Sequence, residues 1–148
     1  MKHVKTIAFT ALLMLLFPLS GLAAVTQATL YKSPNCGCCA AYADYLEKNG
    51  FDVEVIDTND LAEIKAEYNI PEKLYGCHST LIDNYVFEGH INVESIKQVL
   101  AEKPSIKGLS VPGMPLGAPG MGGEKQGPIE VYTLSFQPTN SPEVYATY

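Results

Sequence analysis

Three of the four cysteines in this 148-residue chain lie within four positions of one another. Cys36, Cys38 and Cys39 form a Cys-Gly-Cys-Cys motif, and the fourth cysteine, Cys77, is followed directly by His78. Thiolates, and to a lesser degree imidazole and thioether groups, select Cu(I), zinc or iron–sulfur centres over hard cations. The motif therefore leaves three uses of sulfur to distinguish, namely a metal site, a redox dithiol and a structural disulfide.

The start of the chain is typical of an exported protein. Lys2 and Lys5 precede an almost uninterrupted apolar run at residues 7–19, and the small residues Ala23 and Ala24 follow it. This is the layout of a secretory signal peptide. The run is shorter than the roughly 20 apolar residues that span a bilayer. We expect residues 1–24 to be removed, the protein to reach the periplasm, and the mature chain to have no stable membrane insertion.

The charge balance argues against one class of partner. The chain has ten lysines, no arginine and 16 acidic residues, a net charge of −6. Loss of Lys2 and Lys5 with the leader leaves eight lysines against 16 acids, a net charge of −8. Such a chain is a poor match for the phosphate backbone of nucleic acid. We expect no nucleic-acid partner, and a mature chain of this length suits one domain with a modest core.

The spacing of the cysteines argues against two structural disulfides, although exported proteins commonly have them. A bridge between the adjacent Cys38 and Cys39 would strain disulfide geometry. Bridges from both to distant partners would need two distant cysteines, and only Cys77 is distant.

The segment around the motif is predicted to be a strand, a turn and a helix. Gln27–Tyr31 suits a short strand, and the Pro and Asn of residues 32–35 favour a turn. One helix face then repeats apolar residues up to the stop at Gly50, at Cys39, Tyr42, Ala43 and Leu46. The cysteine motif should lie at the first turn of this helix, where free N–H groups and the helix dipole favour thiolate over thiol.

Further elements follow in alternation. Residues 51–56 alternate apolar and polar as a strand does, and Asp60 with Glu63 resembles a capping box before a second helix. Residues 79–82 and 85–88 are predicted to form a hairpin, and Asn92 to cap a third helix through residue 101. The order β-α-β-α-β-β-α, with cysteines starting the first helix, predicts an α/β, thioredoxin-like fold with a central mixed sheet flanked by about three helices.

A change of composition divides the mature chain. Residues 25–104 should form the thioredoxin-like core, residues 105–127 a Gly/Pro/Met-rich loop without helix or central strand, and residues 128–148 a C-terminal strand or hairpin of the same domain. A flexible linker is the plainer interpretation of the loop. However, Met114 and Met121 both occur there as Pro-Gly-Met, and thioethers are weak Cu(I) ligands.

Taken together, these segments carry a family resemblance. Residues 31–39, Cys77-His78, residues 85–90 and residues 108–121 resemble the small exported proteins that include the CopG-type copper-resistance proteins. The resemblance extends from about residue 28 to residue 136. It implies a thioredoxin-like fold and copper handling in the cell envelope, with the cysteine motif and the Cys-His pair as ligands. Tyr42 stands where the family pattern would have tryptophan, a difference that concerns packing more than sulfur chemistry.

The metal hypothesis therefore assigns Cu(I), rather than zinc, to the thiolates of Cys36, Cys38, Cys39 and Cys77. Adjacent cysteines do not easily converge on one tetrahedral ion, so the motif favours a multinuclear cluster. His78 is a further candidate ligand. Three residues are weaker candidates: Met114, Met121 and His90. Copper ions, and other copper-handling proteins of the envelope, are the expected partners.

The alternative is a periplasmic thiol–disulfide oxidoreductase with Cys36 as nucleophile and Cys39 as resolving thiol. A lowered pKa of Cys36 at the helix start would suit that role as well. Cys38 argues against it, because a third thiol offers competing disulfides and has no part in a two-cysteine cycle. A hybrid, in which the cysteines bind copper and also exchange electrons with it, is the remaining possibility.

Overall fold

A mixed β-sheet organises the chain. The computed structural model describes residues 25–137 and 141–148, so the predicted signal peptide lies outside the described residues. The helices of the described part are α1 (Gly37–Lys48), α2 (Leu61–Glu67) and α3 (Val93–Glu102), with a 3-10 turn at Glu72–Leu74. The strands are β1 (Thr26–Lys32), β2 (Phe51–Asp57), β3 (His78–Ile82), β4 (Tyr85–Glu88), β5 (Gly108–Ser110), β6 (Glu130–Leu134) and β7 (Val144–Thr147). These seven strands form one sheet in the order β2-β1-β3-β4-β5-β6-β7.

The first β-α-β unit places the cysteine motif after β1, a strand in which buried residues alternate with more exposed ones. β1 and β2 pair in parallel and α1 connects them, with Cys36 as the N-cap residue of α1. The predicted apolar helix face is confirmed, because its members are the buried residues of α1: Cys39, Tyr42, Ala43 and Leu46. The motif therefore lies at the first turn of the helix, as the sequence predicts.

The predicted hairpin is confirmed as β3 and β4, which pair in antiparallel fashion. Asp83 has a left-handed backbone (φ 52) in the connecting turn, where a short polar side chain tolerates that conformation well. β3 also pairs with β1, and this register sets His78 opposite Lys32. The hairpin thus brings the Cys77-His78 segment beside the start of α1, and the α/β class with a mixed sheet is confirmed.

The prediction that residues 105–127 contain no central strand is wrong. Gly108–Ser110 forms β5, which pairs in parallel with β4 and in antiparallel fashion with β6. Gly108 permits this close pairing, because a Cβ atom there would lie only 1.7 Å from the carbonyl oxygen of Val86. Gly108 contributes to the glycine-rich composition that argues against a strand, yet its missing side chain is what allows β5 to approach β4.

The predicted capping interactions are absent from the described helix starts. Asp60 and Asn92 are the N-cap residues of α2 and α3, but neither side chain makes a cap hydrogen bond. Instead, the Asn92 side-chain oxygen accepts a hydrogen bond from the Ser95 hydroxyl at 2.8 Å, and the Asp60 N–H donates to the Thr58 hydroxyl at 2.9 Å. In the described part, no helix is long and apolar enough to cross a bilayer.

Candidate metal centre

The fold brings all four cysteines to one place. Cys36, Cys38 and Cys39 lie at the start of α1, and Cys77 directly precedes β3, which pairs with β1. The four sulfur atoms all lie within 4.8 Å of one another. Cys39 and Cys77, which are 38 positions apart in the chain, therefore share one site. The role of the four cysteines as metal ligands stays a prediction.

Cys77 is the central sulfur of this group. Its Sγ atom lies 3.5 Å from that of Cys39 and 4.0 Å from that of Cys38, which is in turn 3.5 Å from the Sγ of Cys36. Cys36 and Cys39 form a disulfide, whereas Cys38 and Cys77 are free thiols. The structure thus represents an oxidised form in which two of the four sulfurs are already bonded to each other.

The Cys77 thiol is protonated at neutral pH. Its partial burial and the neighbouring Cys38 raise the pKa of Cys77 to about 12. Because thiolate rather than thiol binds metals, a metal ion that binds Cys77 must displace this proton. Burial and the neighbouring Cys38 therefore disfavour the thiolate form of Cys77 while no metal is bound.

Two histidines extend the sulfur group. His78 Nδ1 and His90 Nε2 lie 3.4 Å and 3.0 Å from the Cys77 Sγ atom, so this sulfur belongs to a Cys/His/His group as well as to the four-cysteine group. Both imidazoles are buried, and Tyr42 packs against them with ring centroids 4.5 Å from His78 and 5.3 Å from His90. The structure thus brings together the predicted site residues His78 and His90 with Cys77.

Burial keeps both imidazoles neutral. It lowers the pKa of His78 well below its ordinary value, with His90 as a second cause, and it also lowers the pKa of His90. His78 Nε2 is buried and has no hydrogen-bond partner in the described part of the chain. Neutral imidazole nitrogen is the form that binds metals. The donor set, four cysteines and two neutral imidazoles, suits a soft or borderline metal ion.

The residues that flank the Cys77-His78 pair are held by a buried ion pair, which the sequence analysis did not predict. The Lys65 ammonium contacts the Glu88 carboxylate, and both side chains are almost completely buried. Glu88 also accepts hydrogen bonds from the Gly76 N–H at 2.7 Å and from the Ser79 hydroxyl at 2.6 Å. The pair therefore links α2 and β4 to the residues that flank Cys77-His78.

The two loop methionines differ in their surroundings. Met114 is 59% exposed, whereas Met121 is partly buried and packs against the main core. Packing against the core therefore accounts for Met121. The loop does reach the site through its backbone, because the Pro119 carbonyl oxygen lies 2.7 Å from His90 Nδ1. Sequence reasoning did not single out Pro119, since a backbone carbonyl leaves no residue-type signal.

The fold and the site together define a class: a small α/β protein with a buried thiol–imidazole centre at the start of its first helix. A family model described as "Protein of unknown function, DUF411" matches residues 74–121, which include Cys77, both histidines of the centre and most of the loop. A comparison with functionally curated proteins finds no match.

Two solved structures are similar to this chain over most of its length. Both are titled copper resistance protein CopG, in two forms, and both are 33% identical to this chain. One match covers 83% of this chain and 98% of the other with a TM-score of 0.75, and the second covers 82% and 96% with a TM-score of 0.74. The chain therefore belongs to the CopG family, as its motifs indicate.

Proposed function

We propose that this chain is an exported copper-binding protein of copper resistance, and that it holds Cu(I) through the thiolates of Cys36, Cys38, Cys39 and Cys77. The observation that carries the proposal is the convergence of four sulfur atoms within 4.8 Å of one another, with imidazole nitrogens beside them. Its relatives bear the name copper resistance protein. Sulfur donors favour Cu(I), which prefers soft ligands.

We further propose that the site binds more than one copper ion. Four sulfurs this close, two of them from adjacent residues, are suited to bridging several metal ions rather than enclosing one. His78 and His90 would be terminal ligands, because the sulfur that each imidazole contacts is that of Cys77. Met114 and Met121 remain candidates for transient contact during copper transfer, with the exposed Met114 the better placed of the two.

The redox state of the motif should control copper capacity. A disulfide between Cys36 and Cys39 withholds two thiolates, so these residues bind copper as thiolates only after a two-electron reduction. Disulfide formation and full copper loading are therefore mutually exclusive. In the oxidising periplasm, where we propose the protein resides, copper binding would protect the cysteines from forming the bridge.

The experiment is a metal titration of reduced mature protein under anaerobic conditions. We expect more than one Cu(I) bound per chain, measured by metal analysis after gel filtration together with a thiol count. The matched control is the same protein with its disulfide intact, which should retain less Cu(I) because two sulfurs are unavailable. Binding of a single zinc ion with negligible Cu(I) retention would contradict the proposal.

The Cys36–Cys39 disulfide favours a second candidate function, thiol–disulfide exchange on a thioredoxin-like fold. Cys36 is the N-cap residue of α1, the position where such exchange motifs place a reactive sulfur. In that case Cys38→Ser should retain the reduction of insulin disulfides while Cys36→Ser abolishes it. Equal inactivity of wild type and both variants would remove this candidate.

A further inference from the structure

The loop between β5 and β6, residues 111–129, determines which nitrogen of His90 carries the proton. The Pro119 carbonyl oxygen lies 2.7 Å from Nδ1, and a carbonyl oxygen only accepts hydrogen bonds, so Nδ1 must be the donor. In a neutral imidazole the other nitrogen, Nε2, then has a free lone pair. That nitrogen lies 3.0 Å from the Sγ atom of Cys77.

Gly120, the residue after Pro119, lets the backbone that carries the Pro119 carbonyl pack against α1. A Cβ atom on Gly120 would lie 2.7 Å from the backbone nitrogen of Tyr42 and 2.9 Å from its Cα, so the loop backbone packs directly on the helix. Gly120 also has a left-handed backbone (φ +78). The neighbouring Ala118 is buried, and its carbonyl accepts the Met121 N–H at 2.9 Å. The loop is therefore fixed at the point where it meets His90.

The backbone of His90 is also held from the C-terminal side. The Tyr148 hydroxyl donates to the His90 carbonyl oxygen at 3.1 Å, and Tyr148 is joined to Ile129 by a reciprocal pair of backbone hydrogen bonds. The ring and the backbone of His90 are thus each held by a hydrogen bond from outside its own segment. Partners of this kind fix the tautomer and orientation of metal-binding histidines.

We propose that Pro119 and Gly120 are positioning residues for the metal centre. The tight packing of Gly120 against α1 fixes the position of the Pro119 carbonyl group. This carbonyl keeps Nε2 of His90 unprotonated and directed at Cys77, so that Nε2 can bind metal beside that sulfur. The loop at residues 111–129 is then part of the site rather than a linker. The role in copper retention rests on the proposed function, but the role in setting the tautomer does not.

The test compares Gly120→Ala with Gly122→Ala. Both glycines have positive φ (+78 and +67), so alanine carries a similar backbone cost at each, but nothing lies within 4 Å of a Cβ at Gly122. Only Gly120→Ala should lift the carbonyl away from His90. We expect Gly120→Ala to speed Cu(I) transfer to a colorimetric chelator by about tenfold, the lower end of the effect of losing a ligand's hydrogen-bond partner. Gly122→Ala should transfer copper at the wild-type rate.

A second measurement requires no copper, and its decisive part uses the wild-type protein alone. Nitrogen NMR of the imidazoles in metal-free wild-type protein should show His90 as the Nδ1–H tautomer, with a mixture of tautomers in Gly120→Ala. An Nε2–H tautomer in the wild type would overturn the proposal, and this result is available even if Gly120→Ala fails to fold. Absence of Cu(I) binding by the wild type would count against the proposed function while leaving the tautomer result intact.

A double variant separates positioning from general loosening of the fold. In a His90→Ala background, Gly120→Ala should have no further effect on the rate of Cu(I) transfer, because the residue through which it acts is gone. A tenfold effect that persists in that background would show that the loop acts on the cysteines by another route, and would overturn the proposal. An unchanged transfer rate in the single Gly120→Ala variant would do the same.

Discussion

Replacing Cys77 with serine should impair copper binding more than replacing either of the other half-buried sulfurs at this site. Cys77 is the one cysteine that belongs both to the four-cysteine group and to the Cys/His/His group. Its removal therefore leaves three thiolates at the helix start without their link to the imidazoles. Serine preserves the size of the side chain but offers a hard hydroxyl oxygen, which Cu(I) binds poorly.

The expected loss exceeds about 100-fold in Cu(I) affinity, the upper end of the effect of removing a supporting partner of a ligand. Competition with a Cu(I) chelator of known affinity, on anaerobically reduced protein, measures it. The stoichiometry should fall as well, because the nitrogen donors lose the adjacent sulfur.

Cys38→Ser is the matched control for this variant. Cys38 is also a half-buried free cysteine, but its sulfur lies 3.5 Å from Cys36 and 4.0 Å from Cys77 and does not belong to the Cys/His/His group of the described residues. We expect a smaller loss of affinity for Cys38→Ser, with the imidazole-linked copper retained. Equal losses in the two variants would mean that the cysteines act as equivalent donors and that the histidines contribute nothing.

Local patterns predict the elements that present the cysteines. The i, i+3, i+4, i+7 repeat beginning at Cys39 is the buried face of α1, and the hairpin that follows Cys77 forms as β3 and β4. Both features depend on short-range periodicity, which is visible in the sequence. The convergence of Cys77 with the motif needs only the additional antiparallel pairing of β3 with β1.

Other parts of the site depend on contacts between segments that have no local pattern. Gly108 and Gly120 are both typical of loops in the sequence. In the structure, however, Gly108 allows β5 to approach the backbone of Val86, and Gly120 allows the loop to pack against α1. The absence of a side chain serves equally in a loose turn and in a tight backbone contact. Composition alone therefore cannot separate these two uses of glycine.

The Lys65–Glu88 ion pair could not be predicted from the sequence for a related reason. Lysine and glutamate are residues that normally remain in water, so a helix or strand pattern assigns them to the exposed face. Lys65 is nevertheless the buried residue of α2, and Glu88 ends a strand whose last three residues are buried. Each charge is stabilised in the interior by the other and by hydrogen bonds with Gly76 and Ser79, and that dependence cannot be read from either segment alone.

Glu88→Gln should therefore be the most destabilising polar substitution near the site. The amide leaves the buried ammonium of Lys65 without a counter-charge, and it offers one acceptor oxygen where the carboxylate offers two. The Gly76 N–H and the Ser79 hydroxyl bond to different carboxylate oxygens, so one of them loses its acceptor. Removing one partner of a buried pair costs about 3–5 kcal/mol, a large part of the 5–15 kcal/mol by which domains are stable.

Urea denaturation of the wild type and variant, followed by circular dichroism, measures the loss. Asp57→Asn is the control, because it removes one charge from an ion pair with Lys32 whose acidic side chain is 54% exposed. That change should cost less than Glu88→Gln, because the side chain at position 57 stays in contact with water and the Lys32 ammonium also donates to the carbonyl oxygens of Ser33 and Pro34. The double variant Lys65→Met/Glu88→Gln should recover part of the loss, since no unpaired charge remains buried. A Glu88→Gln protein as stable as Asp57→Asn would mean that water reaches the pair, and that Gly76 and Cys77 are held by the β3–β4 hairpin without it.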